Sequence, residues 1–383
     1  MLPKFDLRQD TRSTRARPAT IRVSAGRISS LRPEVTAGAE LLTDWQRFGA
    51  ELNTTSFRTV NARYEEAGFL YAEKRARLEP YWTTIADNWE RTMSAGDELR
   101  RLYSWQSSNG SRWAHLDLWR ATDRSWWVQH LVANGGGAGS LATMLAATAR
   151  SFADPWLIGC EAWFRPANPF ANRLLGGGAD ALGRDGGKST QSYLRVPLFD
   201  HGPEPGRRVQ EVHHASADLL RLATENRHPA YPTITALPDD PQLAAVNSRY
   251  QAVGLRRYRR IFMATDRAGR LRGAALAYRA PLGLNYSFLE NRCDVLLSDE
   301  EPEEASGTAR ALVAAAADTY RDFTPGFIPV TLSSDTPTAQ SVRAALGGEL
   351  LQTYAQAVWL RAGLPRLAQY FRRAGQRTRR PPR

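Results

Sequence analysis

Residues 126–152 place an alternating apolar strand, a glycine-rich turn and an uninterrupted helix in direct succession. This arrangement limits what the chain can become more than any other feature. Trp126 to Ala133 reads as a strand. Asn134-Gly135-Gly136-Gly137-Ala138-Gly139-Ser140 follows, and Leu141 to Phe152 is an unbroken run of helix formers with Leu141, Met144, Leu145 and Thr148 on one face. Glycines let a backbone turn tightly and approach a phosphate without Cβ obstruction. Unpaired N–H groups and the dipole at the start of the helix then favour an anion. The turn carries no Lys before its serine, so it is not a Walker loop. Antiparallel strands precede it, whereas a dinucleotide fold needs a parallel βαβ unit.

The surrounding pattern supports that placement. Helical spacing runs through 40–93, preceded by a short strand at 20–24. The period then changes to two over 99–106, 113–120 and 126–133, with Asn109-Gly110 as a hairpin turn. After the glycine turn and its helix come a strand at 156–164, a short helix opened by Asn168-Pro169, a loop over 176–188 and a strand at 192–197. A linker over 199–230 contains a short helix near 215–224. The order then recurs: helix at 243–254, strands at 258–265, 271–279 and 292–297 with 284–289 as a continuation of the sheet, a helix at 309–320, a strand at 327–332, a helix at 337–346 and a closing strand at 352–360.

On the glycine turn, the element order and Asn168, the chain resembles the GNAT acyltransferase superfamily. That family's pyrophosphate loop reads Gln/Arg-x-x-Gly-x-Gly/Ala, and residues 134–139 match it with Asn in the first place. The resemblance implies an α/β (α+β) fold of two tandem GNAT-like domains, each a mixed, mostly antiparallel sheet flanked by helices. The expected boundaries are a basic N-terminal tail at 1–19, a first domain at 20–198, the linker at 199–230, a degenerate second domain at 231–362 and a basic C-terminal tail at 363–383. It further implies acetyl-CoA or another acyl-CoA as donor substrate, held by Leu131, Val132, Ala133, Asn134, Gly137, Ala138, Gly139, Ser140, Asn168 and Phe170. An amine acceptor, small or peptidic, then attacks directly.

The family's usual carboxylate base has no counterpart on the fourth strand, where Gln129 and His130 stand. His130 is the first candidate base, since imidazole titrates near neutrality. Glu161 and His115 are further candidates. His115 and Asp117 form either a polar floor of the acceptor pocket or a solvated face. The family's acid tyrosine is missing as well: Leu175 occupies its expected place, and no Tyr occurs between Tyr103 and Tyr193. In the second repeat an acidic stretch, Asp299 to Glu304, replaces the glycine turn and would repel a pyrophosphate. That repeat is therefore expected to supply part of the acceptor site or a dimer surface without a cofactor of its own.

A net charge of +12, carried mostly by arginine, predicts affinity for anions. It keeps open a Fem-like transferase that takes aminoacyl-tRNA, beside a non-catalytic acyl-CoA sensor. No apolar run is long enough for a membrane span, and two distant cysteines suggest neither a disulfide framework nor a metal site. These features predict a cytoplasmic bacterial protein, monomer or homodimer, with no metal.

Overall fold

The computed structural model describes residues 38–135, 137–198, 207–235, 241–298, 301–334 and 338–378. The expected tail at 1–19, the strand at 20–24 and Gly136 lie outside them. Among the described residues twelve strands form one sheet: β1 (Ala50–Leu52), β2 (Arg100–Gln106), β3 (Trp113–Thr122), β4 (Ser125–Ala133), β5 (Gly159–Phe164), β6 (Gly186–Pro197), β7 (Arg208–Val212), β8 (Tyr258–Thr265), β9 (Leu271–Arg279), β10 (Cys293–Leu297), β11 (Phe327–Ser333) and β12 (Glu349–Leu360). Their spatial order is β1-β2-β3-β4-β5-β12-β6-β11-β10-β9-β8-β7.

Two parallel pairs, β4 with β5 and β10 with β11, break an otherwise antiparallel sheet. Read inward from either edge, the order is the same: five strands of one half, then the last strand of the other. β12 lies between β5 and β6, and β6 lies between β11 and β12. The closing strands of the two halves are thus exchanged. β6 and β12 pair with each other from Glu349↔Arg195 to Trp359↔Gly186, with one bulge after Leu350.

The helices repeat as well. Between the first and second strands of the first half run α1 (Phe57–Glu66), α2 (Ala72–Leu78) and α3 (Trp82–Ser94); in the second half α4 to α6 take their place (Ala217–Asn226, Tyr231–Thr235, Pro241–Ala252). Between β4 and β5 runs the glycine-turn helix αG (Gly137–Ala153), and its counterpart between β10 and β11 is α7 (Pro302–Ala316). Local chemistry sets several ends. Ser56 accepts from Thr59 N–H (3.3 Å) to cap α1, whose Phe57, Val60 and Tyr64 are buried on one face. Ser216 caps α4 in the same way at 3.1 Å.

One face of the first half packs Trp126, Val128, Cys160 and Ala162 against αG and against α8 (Leu364–Thr378). The expected C-terminal tail is therefore helical up to Thr378: Leu364, Leu367, Ala368 and Phe371, at helical spacing, are buried and outweigh the arginines between them. On the opposite face Trp119, Trp127, Trp163, Tyr354 and Tyr193 form a row across β3, β4, β5, β12 and β6. Successive ring centroids are 5.0, 5.9, 6.4 and 5.9 Å apart. The row ties the exchanged strands together through side chains as well as backbone. Residues 284–289, expected as sheet, instead form a turn in which Phe288 takes a left-handed conformation (φ +60°).

Candidate functional site

β4 and β5 pair only from Ser125↔Gly159 to Val128↔Ala162. Beyond Val128 they part, and a cleft of about 590 Å³ opens between them. The cause is local. Asp117 faces Gln129 and His115 faces Val132, so Leu116 alone stands opposite His130 and Leu131. This extra residue is a β-bulge, which bends β4. His130 absorbs the bend with φ +47°. A non-glycine residue there costs about 1–2 kcal/mol, so the surroundings must hold it. Tyr286 N–H donates to His130 Nε2 (3.3 Å), and Tyr64 Oη donates to its carbonyl (3.4 Å).

A buried polar chain supports the bulge from below. Arg100 donates twice to Asp117, at 2.9 and 2.6 Å, and lies over the Trp89 ring. Gln129 Nε2 donates to Asp117 (3.1 Å) and to the Leu284 carbonyl, while Asn285 Nδ2 donates to Gln129 Oε1 (2.9 Å). Burial opposes the Asp117 charge, but Arg100 and His130 outweigh it and hold the carboxyl below its ordinary range. Tyr286 Oη donates to Asn61 (2.8 Å). The 284–287 turn of the second half is thereby locked into the first half.

The expected donor-site residues divide between two roles. Leu131, Val132, Ala133, Gly137, Ser140, Asn168 and Phe170 line the cleft. Ala138 and Gly139 do not. Gly139 is a packing glycine: a methyl there would stand 2.6 Å from the Trp105 ring and 2.8 Å from Ala114 Cβ. Asn134 is a clip, accepting from Trp113 N–H (2.8 Å) and donating to Glu66 (3.0 Å). Gly135 takes the left-handed turn into αG (φ +71°). Asn168 caps its helix by accepting from Phe170 and Ala171 N–H at 3.1 and 3.2 Å.

Ser140 carries the most pointed signal. It is only 1% exposed, lines the cleft in the first turn of αG, and its Oγ has no hydrogen-bond partner. Buried hydroxyls are normally paired. An orphan hydroxyl beside unpaired helix amides fits a phosphate-bearing ligand such as coenzyme A.

The expected proton-transfer residues are placed otherwise. His130 lines the cleft, but its Nε2 accepts from Tyr286 and its Nδ1 faces Asp117 at 3.6 Å; burial, against the pull of Asp117, depresses its pKa to about 4. His115 is fully buried, so the solvated-face reading does not hold. Arg63 donates to its Nε2 (3.1 Å) and Ser104 Oγ lies 2.9 Å from Nδ1; burial, reinforced by Arg63, pushes it to about 4. Glu161 is outside the cleft. It accepts from Gln356 (2.6 Å) beside a separate cavity of about 30 Å³, and burial raises its pKa.

Tyr71, Lys74, Arg165 and Tyr354 also line the cleft. Arg165 Nη2 donates to Tyr71 Oη (2.7 Å) and also meets the Tyr354 phenol. Tyr354 arrives on the exchanged β12, and the second half adds Asn285, Ser287 and Leu289 to the wall. Among the described residues no helix is long and apolar enough to cross a membrane.

No protein-family model and no curated protein matches the chain. Solved structures similar to it include a tandem GNAT protein from the clavulanic acid biosynthesis pathway (16% identity, 72% of this chain and 88% of that one, TM-score 0.34). Others are GCN5-related N-acetyltransferases of Sphaerobacter thermophilus (12%, 72% and 85%, TM-score 0.37) and Kribbella flavida (13%, 72% and 93%, TM-score 0.35). In its strand order and its parallel pairs the chain consists of two like halves that share one sheet, with the cleft where the first such pair divides.

Proposed function

We propose that the protein is an acyl-CoA-dependent N-acyltransferase whose donor lies in the β4–β5 cleft of the first half. The observation that carries this reading is the opening of the sheet beyond Val128 onto the unpartnered Ser140 hydroxyl at the start of αG. Gly137, Ser140 and the first amides of αG would hold the pyrophosphate, and Leu131 to Ala133 the pantetheine arm. A backbone N–H of that unpaired stretch would polarise the thioester carbonyl.

The nitrogen of the acceptor attacks the carbonyl carbon, the C–N bond forms, and the C–S bond breaks. The attacking amine must arrive uncharged. A cleft lined by Lys74 and Arg165 and, among the described residues, by no carboxylate disfavours the ammonium form, since like charges lower an amine's pKa. His130 serves the bulge, and the leaving thiolate takes its proton from Tyr71 or Tyr354, which share Arg165. The proton lost from nitrogen restores the phenol.

Thermal shift tests the donor site: acetyl-CoA and free CoA stabilise the protein, and no shift with either ends the reading. Thiol release tests the chemistry. The double variant Y71F/Y354F is expected to lose about 100-fold or more in kcat, the usual size of general-acid assistance, with acetyl-CoA binding retained. Unchanged kcat would remove both phenols from the mechanism.

A further inference from the structure

We infer that the acceptor end of the cleft is an anion site, so that the amine substrate also carries a carboxylate or phosphate, held by Lys74 and Arg165. For the amine this rests on the acyl-transfer reading above; for the anion it stands on the cleft alone.

Lys74 is 5% exposed on α2 and lines the cleft. Only three of the chain's 51 basic residues are lysine, and this is a buried one. Its Nζ sits 3.6 Å from the Phe69 ring centroid and 5.9 Å from that of Tyr286. Rings offset part of a buried charge, but a buried ammonium ordinarily has an anionic partner. Among the described residues no Asp or Glu lines the cleft. Arg165 increases the imbalance. It is held by phenols, and burial first, then the charges of Arg165 and Arg77, push the Lys74 pKa well below the ordinary lysine value. Two basic groups in one partly enclosed space, without a carboxylate among the described lining, are complementary to an anion that enters with the substrate and favours the charged form of the lysine. An ammonium offers a point charge and a guanidinium a fork, a pairing suited to the oxygens of one anionic group.

The site is separate from the one for pyrophosphate. Lys74 packs with Phe69 and Tyr286 around His130, where the cleft begins. Ser140 follows the far end of β4, and the strand between them advances about 3.3 Å per residue, which places the two anion sites on the order of 10 Å apart. Phe69, Tyr71, Trp163 and Tyr354 wall the acceptor end, so an amino acid with an aromatic or large apolar side chain suits it best.

The test uses the full chain and matched amines: L-phenylalanine against phenethylamine, L-leucine against isopentylamine, and phosphoethanolamine against ethanolamine. Binding is read by calorimetry without CoA, and thiol release with acetyl-CoA. At least one acidic member is expected to bind at least tenfold tighter than its neutral partner, with K74M and R165Q each collapsing that ratio. Equal binding within every pair overturns the inference, as does a ratio that survives both variants. Comparison of the pairs on the unaltered protein, with K74Q as a second variant, decides the matter if K74M does not fold. An acidic preference without any acetyl-CoA binding sinks the acyl-transfer reading and leaves the anion site; acetyl-CoA turnover without an acidic preference does the reverse.

Discussion

Burial sets the charge of several side chains here, and the effects on stability have opposite signs. Glu290 is 2% exposed, and burial raises its pKa to about 8. The folded protein therefore keeps a proton that the unfolded chain releases above about pH 4.5. Its contribution to stability is full below that pH and is lost as pH rises through about 8. The variant E290Q, which mimics the protonated acid, is expected to gain on the parent steadily from pH 5 to 8 in urea melts. A gap that is flat with pH would show that Glu290 ionises normally. His115 and His130, both at about 4 when folded, act in the other direction. The unfolded chain takes up protons first, so each removes about 3 kcal/mol as pH falls from 6.5 to 4. Ser140 makes the cleanest prediction for binding. S140A loses no partner in the free protein, so stability holds, while acetyl-CoA affinity falls about five- to tenfold, the value of one hydrogen bond. Calorimetry on the variant measures both. Lys74 left a trace in the sequence, a lone lysine among aromatics in an arginine-rich chain, but only folding shows that no carboxylate among the described residues lines its cleft.

At the scale of elements, the bulge in β4 does the most for the site. His130 is the residue bent into the left-handed region, so its replacement should depend on backbone freedom. H130G and H130A both leave the Tyr286 N–H without its acceptor, but only alanine must also strain. H130A is expected to be less stable than H130G by about 1 kcal/mol; equal denaturation midpoints would mean that the bulge relaxes. Most strands could be read from alternation and turn residues, and β8 and β9 coincide with their expected ranges. The reading of 284–289 as strand failed for a physical reason. Leu284, Tyr286 and Phe288 alternate with polar residues as a strand does, yet their side chains are buried by a turn that docks on Gln129 and His130. The C-terminal tail shows the converse. Its arginines drew attention from the spacing of Leu364, Leu367, Ala368 and Phe371.

For the whole molecule, the exchange of β6 and β12 makes the two halves one structural unit. No pattern in the sequence records it, because either pairing of the closing strands hides the same side-chain faces. Tyr354 reaches the cleft on the exchanged β12, far along the chain from the glycine turn. A chain of this size in two independent domains would often melt in two steps. Here circular dichroism and tryptophan fluorescence are expected to report one coincident transition. Two separated transitions would show that the shared strands do not couple the halves.

The exchange also bears on how the chain is made. Synthesis runs from the N-terminus, and the neighbour of β5 is the last strand to appear. Until residues 349–360 leave the ribosome, the first half has an open edge beside its own cleft. Partners so distant along the chain close slowly. The half that holds the cleft is therefore the one that must wait, protected from wrong pairing by whatever shields nascent edges in the cell.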